Sequence, residues 1–554
     1  MARQMRNGPL SVLSKESQRT AGDEARTMNI SAARAVAETV RTTLGPRGMD
    51  KMLVDSSGNV VVTNDGVTLL EEMDITHPAA NLVIEVSQTQ EEEVGDGTTS
   101  AVILAGELLS VAEDLIEQGI HPSSIVAGYQ EAVTTAKTAL DELAIEIDPD
   151  DTETLEAIAA TAMTGKGAER SKELLAELVV EAVTTAVRED GTVDRDAIDV
   201  RSFPGRSVED SRFISGTLVD KKPPHPSMPT SFTDANVLVY EDDLELSELE
   251  IGAGATITDV EQADAFADRD REELESVVDR IVDSGADVVL VDGGIDDFAQ
   301  QRFVDAGVLA LRRVSDDHRR RVAGATGAAR VGNLERLTSD DLGHAGRVER
   351  EMIRELTHKG NARAEQTTVF DDLPESEIGT ILLRGGTEHV VDEIERAIED
   401  SIGVVSAAIE DGSVLPGAGA PEAELALAVR EAAGGIGGRE QLAVEAFAEA
   451  LEAGPRTLAE NSGHDAIDAL VELTASHDGG DRTAGLDPDT GSPFDALEAG
   501  VVEPLRVKRT ALESAVDAAS MILRIDDVVA AGELSTAGDD DGAGPGAGAG
   551  PMGM

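Results

Sequence analysis

The feature that most constrains the fold is a change of periodicity along the chain. From Met28 to about residue 190, apolar residues recur mainly at helical spacing, broken by one hairpin pattern near the start. From about 214 the pattern changes. Short apolar runs, Val237-Leu238-Val239-Tyr240 and Val288-Val289-Leu290-Val291, alternate with helical stretches at Asp270–Ser284 and Asp297–Ala306. That alternation is an α/β signature. Helical spacing returns at 388–409, through 421–476 and at 507–523. The chain should therefore form several bodies, mainly helical at its ends and α/β in its middle. Its 554 residues give three or four domains at roughly 150 residues each.

One turn stands out for chemistry: Gly95-Asp96-Gly97-Thr98-Thr99-Ser100, running straight into a helix marked by Val102, Ala105, Leu108, Leu109, Ala112 and Leu115. The first turn of a helix has unpaired N–H groups and the positive end of the dipole, so it can receive an anion. The two glycines let backbone approach a phosphate. Asp96 beside an anion requires a cation between them, and Mg²⁺ suits one or two carboxylates plus phosphate oxygens. Two readings stand on spacing alone: a Mg-nucleotide site, or a tight turn with Thr98 as helix N-cap. Lys166, between Gly165 and Gly167, likewise reads as an ammonium brought to a phosphate or as a solvated lysine in a helix–helix turn. The hairpin pattern Met52–Val54 and Val60–Thr63 leads into the Asn64-Asp65-Gly66 turn.

Charge excludes other classes. The chain has 109 Asp+Glu against 46 Lys+Arg, a formal net charge of −63. Such a surface repels nucleic acid and anionic membrane. No Trp and only 2 Tyr leave little for base stacking. The acid excess is spread over the whole length, as on a cytosolic protein working in molar salt, where the Debye length is about 3 Å. Cys is absent, which excludes disulfides and thiolate metal sites. The first 27 residues lack an apolar secretory region, and no apolar run approaches the ~20 residues of a membrane helix. A soluble cytoplasmic protein is expected.

Seven stretches, in order, resemble the signatures of group II chaperonins (the thermosome and CCT family). They are Leu44-Gly45-Pro46-Arg47-Gly48-Met49-Asp50-Lys51; Thr63-Asn64-Asp65; Gly95-Asp96-Gly97-Thr98-Thr99; Gly294-Ile295-Asp296-Asp297; Leu383-Arg384-Gly385-Gly386-Thr387-Glu388; Val502-Glu503-Pro504-Leu505-Arg506-Val507-Lys508; and Met521-Ile522-Leu523-Arg524-Ile525-Asp526-Asp527. The likeness spans roughly 20–535, and the acidity suggests a haloarchaeal member.

The resemblance implies a multidomain fold. A mainly α-helical equatorial ATPase domain would come from 1–148 and 402–535. A small α/β intermediate domain would come from 149–213 and 367–401. An α/β apical domain would occupy 214–366, with a helical protrusion at about 243–271 as a built-in lid and a disordered tail at 536–554. ATP and Mg²⁺ are the implied cofactors, with K⁺ a further candidate. Asp96 would hold the metal. Thr43, Leu44, Gly45, Pro46, Gly95, Gly97, Thr98, Thr99 and Ser100 would line the phosphates. Asp65 and Asp400 would position the attacking water, Lys166 would sense the γ-phosphate, and Gly417 and Glu503 would contact adenosine. Ile251 and Ile257 would either hold substrate or pack protrusion against protrusion. Partners would be non-native polypeptides and other subunits, like or paralogous, in two stacked rings.

Departures fall on the adenosine side. Ala418 replaces a usual glycine, His464 stands where an apolar residue is usual, and Gly485-Leu486-Asp487-Pro488 is an unusual loop. They leave an alternative open: a mainly structural ring subunit with weak ATPase in a hetero-oligomer.

Overall fold

The computed structural model describes residues 19–529, apart from 55, 57, 59, 169, 246–259, 357–361, 374 and 375. Three large apolar cores organise it. The first joins both ends of the chain: Ile30 to Leu143 packs with Leu415 to Leu523. The second is continuous in sequence, from Val219 to Leu373. The third joins Leu155–Ile198 to Ile381–Val414 and Val502.

The first core is helical because its segments repeat apolar residues every three or four positions. The helix Asp23–Arg41 buries Ile30, Ala33, Val36, Ala37 and Val40. It begins five residues before the start expected from sequence, because Asp23 and Glu24 supply acidic residues at its positive end. Thr98–Glu117 runs through this core, burying Leu108, Leu109 and Ala112 among others. Pro122–Leu143 and Leu505–Arg524 complete the surround. Tyr129 is fully buried, donates to the Leu108 carbonyl at 2.7 Å and meets Phe447 edge-on at 5.6 Å between ring centroids.

The second core carries a seven-stranded sheet. Ser231–Tyr240 lies parallel to Val288–Val291, which lies parallel to Leu309–Leu311. On its other side Ser231–Tyr240 pairs antiparallel with Gly343–Leu356, which continues into Ala362–Asp371. This long antiparallel pair was not legible, because charged residues fill the run from Arg347 to Arg354. The helix read as Asp270–Ser284 is one continuous helix, Val260–Asp283. Ile251 and Ile257 fall outside the described residues, as does most of the N-terminal half of the 243–271 stretch, and the 536–554 tail does too.

The third core holds a sheet in which Ile198–Pro204 lies parallel to Gly379–Gly385, with Arg212–Ile214 antiparallel on the far edge. The helices Thr152–Ala162, Lys172–Thr185 and Glu388–Asp411 cover it. Glu388–Asp411 continues to the first core, where Gly403 lies against Val94: a Cβ there would sit 2.3 Å from the Val94 carbonyl oxygen. The expected hairpin forms, with Lys51 opposite Thr63 and Val54 opposite Val60. Near the chain ends, Arg19–Ala21 pairs antiparallel with Asp527–Val529. No helix among the described residues is long and apolar enough to cross a membrane.

Candidate functional site

Three loops and a helix meet where the first and third cores touch. The Gly95–Thr99 turn leads into Thr98–Glu117, and its Gly97 has φ +81°. Gln90 fixes this turn from behind, its buried amide donating to the Asp96 carbonyl at 2.7 Å and the Val507 carbonyl at 3.1 Å. Asp65 caps the helix Gly66–Glu71, accepting from the Thr68 N–H at 2.8 Å. That cap places Gly66 directly on the two threonines: a Cβ there would lie 2.6 Å from Thr99 Oγ1.

Lys166 arrives on the loop between Thr152–Ala162 and Lys172–Thr185. Gly165 makes the approach possible, since its φ is +86° and a Cβ would lie 2.8 Å from the Gly45 carbonyl oxygen. Asn64 donates its side-chain amide to the Gly165 carbonyl, tying this loop to the hairpin's end. Asp400 sits on Glu388–Asp411, its backbone against Gly95. The result is a bridge across two cores: Lys166 Nζ lies 3.1 Å from Asp96 Oδ1 and 2.6 Å from Asp400 Oδ2.

The electrostatics follow from this crowding. Burial drives the Asp400 carboxyl up to about 7 even though Lys166 pulls it down. Burial alone would lower Lys166; the carboxylates of Asp400, Asp96 and Asp65 outweigh it and hold the ammonium above lysine's usual range. Glu91, half-buried on the helix before the turn, is pushed up to about 9 by burial and then by Asp400 and Asp65. Its Oε2 is buried without a hydrogen-bond partner.

A cavity of about 160 Å³ at this junction is lined by Thr43, Leu44, Gly45, Asp65, Asp96, Gly97, Thr98, Thr99, Ser100, Lys166 and Glu503. It adjoins a larger one, about 490 Å³, that also includes Pro46, Gly417, Ala418, Leu486 and Phe494. All but two of the expected site residues therefore line one continuous space. Asp400 stands behind Lys166, and Gly95 faces Asp400.

The larger end is built differently. Glu503 lies 3.2 Å from Lys508 Nζ, which also meets Glu422 at 2.6 Å. Burial raises Glu503 to about 7 against the pull of Lys508. Glu422 and Lys508 were missed in the sequence; a lysine five residues after Glu503, in a lysine-poor chain, was the available signal. Ala418 has φ +55°, a conformation that costs a residue with a Cβ roughly 1–2 kcal/mol. Its methyl is directed at Gly485, where a Cβ would approach it to 2.8 Å. The Ala418 carbonyl accepts from Leu486 N–H at 2.9 Å. Two departures from the expected pattern thus fit each other.

The described residues contain no group of three His, Asp or Glu side chains arranged to hold a metal by themselves. What they offer is one carboxylate, Asp96, facing a cradle of glycine backbone and threonine hydroxyls. That donor set fits a cation shared with phosphate oxygens, as in Mg-nucleotide sites.

The bipartite helical body, the α/β middle and this glycine-cradled carboxylate define a chaperonin, and the chain belongs to the TCP-1/cpn60 chaperonin family, whose model matches residues 36–533. The alpha subunit of the thermosome of Halobacterium salinarum is 55% identical over 544 residues, 98% of this chain and 95% of the relative. Thermosome subunit 1 of Haloferax volcanii is 53% identical over 98% of this chain and 96% of its own length. A thermosome subunit of Methanopyrus kandleri is 54% identical over 95% of each. The chain is thus a group II chaperonin subunit, an ATP-dependent chaperone, with the haloarchaeal relatives its acidity suggested.

Proposed function

We propose that this subunit hydrolyses Mg-ATP at the Asp96 turn and uses hydrolysis to close a double-ring chamber around a non-native polypeptide in the cytoplasm. The single observation that carries this reading is the Lys166 bridge, which links Asp96 in the first core to Asp400 beside the third. In this reading the first core is the equatorial ATPase domain (1–148 and 402–535), the third the intermediate domain (149–213 and 367–401) and the second the apical domain (214–366), whose 243–271 stretch is the lid.

Asp96 would hold Mg²⁺, which would supply charge neutralisation for the phosphates. The chain's own groups do the rest. The backbone of Gly45 and Gly97 and the hydroxyls of Thr98 and Thr99 orient the phosphates. Asp65, held by the Thr68 N–H, aligns the attacking water, and Asp400 accepts its proton. Phosphoryl transfer needs little covalent help beyond alignment and charge. Lys166 donates to Asp400 and Asp96 here, and a γ-phosphate beside Asp96 would compete for the same ammonium. Because Lys166 and Asp400 come from segments outside the Asp96 turn, the site completes only when the two bodies are together, as in this structure. Closure and hydrolysis are then one event.

Steady-state ATPase of the purified, assembled protein in molar KCl tests the reading. Asp65→Ala should abolish turnover while Mg-ADP binding survives; unchanged hydrolysis removes Asp65 from its role. Absence of ATPase in the unsubstituted subunit would favour the mainly structural subunit instead. The fit of Ala418 to Gly485 supports the active one.

A further inference from the structure

We infer that His464 is a positioning residue for the nucleotide's base end, clamping residues 487–491 as a strap over the larger cavity. The inference rests on the reading of that cavity as a nucleotide site. His464 follows the helix Ala453–Asn461 and its ring reaches Pro488, with Nε2 3.0 Å from the Pro488 carbonyl oxygen. A carbonyl oxygen only accepts, so Nε2 carries the hydrogen. His464 also packs close against Gly491: a Cβ there would sit 2.7 Å from His464 Cγ, and Gly491 has φ +73°. One imidazole thus grips both ends of the strap.

The strap is otherwise self-contained. Asp487 accepts from the Asp489 N–H and the Thr490 hydroxyl, both at 2.8 Å, and Gly491 N–H returns to the Asp487 carbonyl at 2.8 Å. It joins the rest of the domain through the short pair Ala484–Leu486 and Pro493–Asp495. Leu486, Pro488 and Phe494 all line the cavity. An Arg47–Asp489 ion pair ties the strap to the Gly45–Pro46 loop, but both side chains are mostly exposed. Such a pair is worth little, and less in high salt. Among the strap's outward ties, the partly buried His464 bond therefore carries the position of Pro488.

A positioning role predicts an effect on binding at the base end alone. Removing one hydrogen bond, worth about 1 kcal/mol, corresponds to about a fivefold change. With the full assembled protein, His464→Ala should raise KM for ATP about fivefold and leave kcat within about twofold. The inhibition constant of Mg-tripolyphosphate, which has no base, should not move. His464→Gln, whose amide can donate to the same carbonyl, should return KM to near the unsubstituted value. An unchanged KM in His464→Ala, a parallel loss of tripolyphosphate binding, or no recovery with Gln would each overturn the inference. Calorimetric Mg-ADP affinity in the same variants tests the clamp even if turnover is absent, so loss of the ATPase reading and loss of this one are separable.

Discussion

The two ends of the cavity are built by opposite means. The end proposed for the phosphates is polar and assembled across chain segments: Asp65, Asp96, Lys166 and Asp400 come from four loops or helices, pressed together where Gly66, Gly95 and Gly165 have no side chain. The end proposed for the base is largely apolar apart from the Glu503–Lys508–Glu422 chain, with Ala418 fitted to Gly485 and His464 to Pro488. Charge placement governs the first and shape governs the second. Substitutions at the phosphate end should therefore act on kcat, and those at the base end on KM.

The largest separation should come from Asp65→Ala, with kcat falling about 10²–10⁴-fold, the range for a lost general base or water-orienting group. Nucleotide affinity by calorimetry should stay near that of the unsubstituted protein. A comparable loss of affinity would erase the distinction between the ends. Lys166→Ala should follow: it leaves buried Asp400 beside Asp65 and Asp96 with no cation, so closure should fail and thermal stability drop by several kcal/mol. Differential scanning calorimetry would read this directly.

A pH profile sharpens the contrast. Burial holds Asp400 near 7, and its role needs the ionised form, so kcat should rise with pH through about 7. The stability sign runs the other way. A carboxyl raised in the folded state contributes fully below the ordinary aspartate range, about 3.9. That contribution is lost as pH rises through about 7. The ionised, active form is the more strained one, and Asp400→Asn should flatten both profiles. At the base end, Gly485→Ala should raise KM without touching kcat, because its methyl would strike that of Ala418. Glu91→Gln should change least. With its carboxyl raised to about 9, Glu91 is neutral at pH 7, and the amide is its near-isostere. Turnover should stay within about twofold; a large loss would show that Glu91 works ionised.

The same contrast decides what could be read in the sequence. The convergence of Asp65, Asp96 and Lys166 was legible because the chemistry proposed for them needs particular residue types in particular turns: glycines, a carboxylate, hydroxyls. Helices such as Thr98–Glu117 and Glu388–Asp411 were legible through their apolar repeat. The His464–Pro488 bond was not, since it joins two loops by a ring and a carbonyl that no pattern announces. Nor was the Glu422–Lys508–Glu503 chain, whose members sit on three separate elements. The strand Gly343–Leu356 escaped because charged residues fall at both odd and even positions between Arg347 and Glu351, where alternation would otherwise show.

The pairing of Arg19–Ala21 with Asp527–Val529 has a consequence for biosynthesis. The first core closes only when the helix Leu505–Arg524 has left the ribosome, whereas Val219 to Leu373 is a core complete in sequence long before. The middle of the chain can fold while the first helices still wait, with apolar faces open, for partners not yet made. A nascent chain of this chaperonin is thus, for most of its synthesis, the kind of half-finished polypeptide that the assembled ring receives.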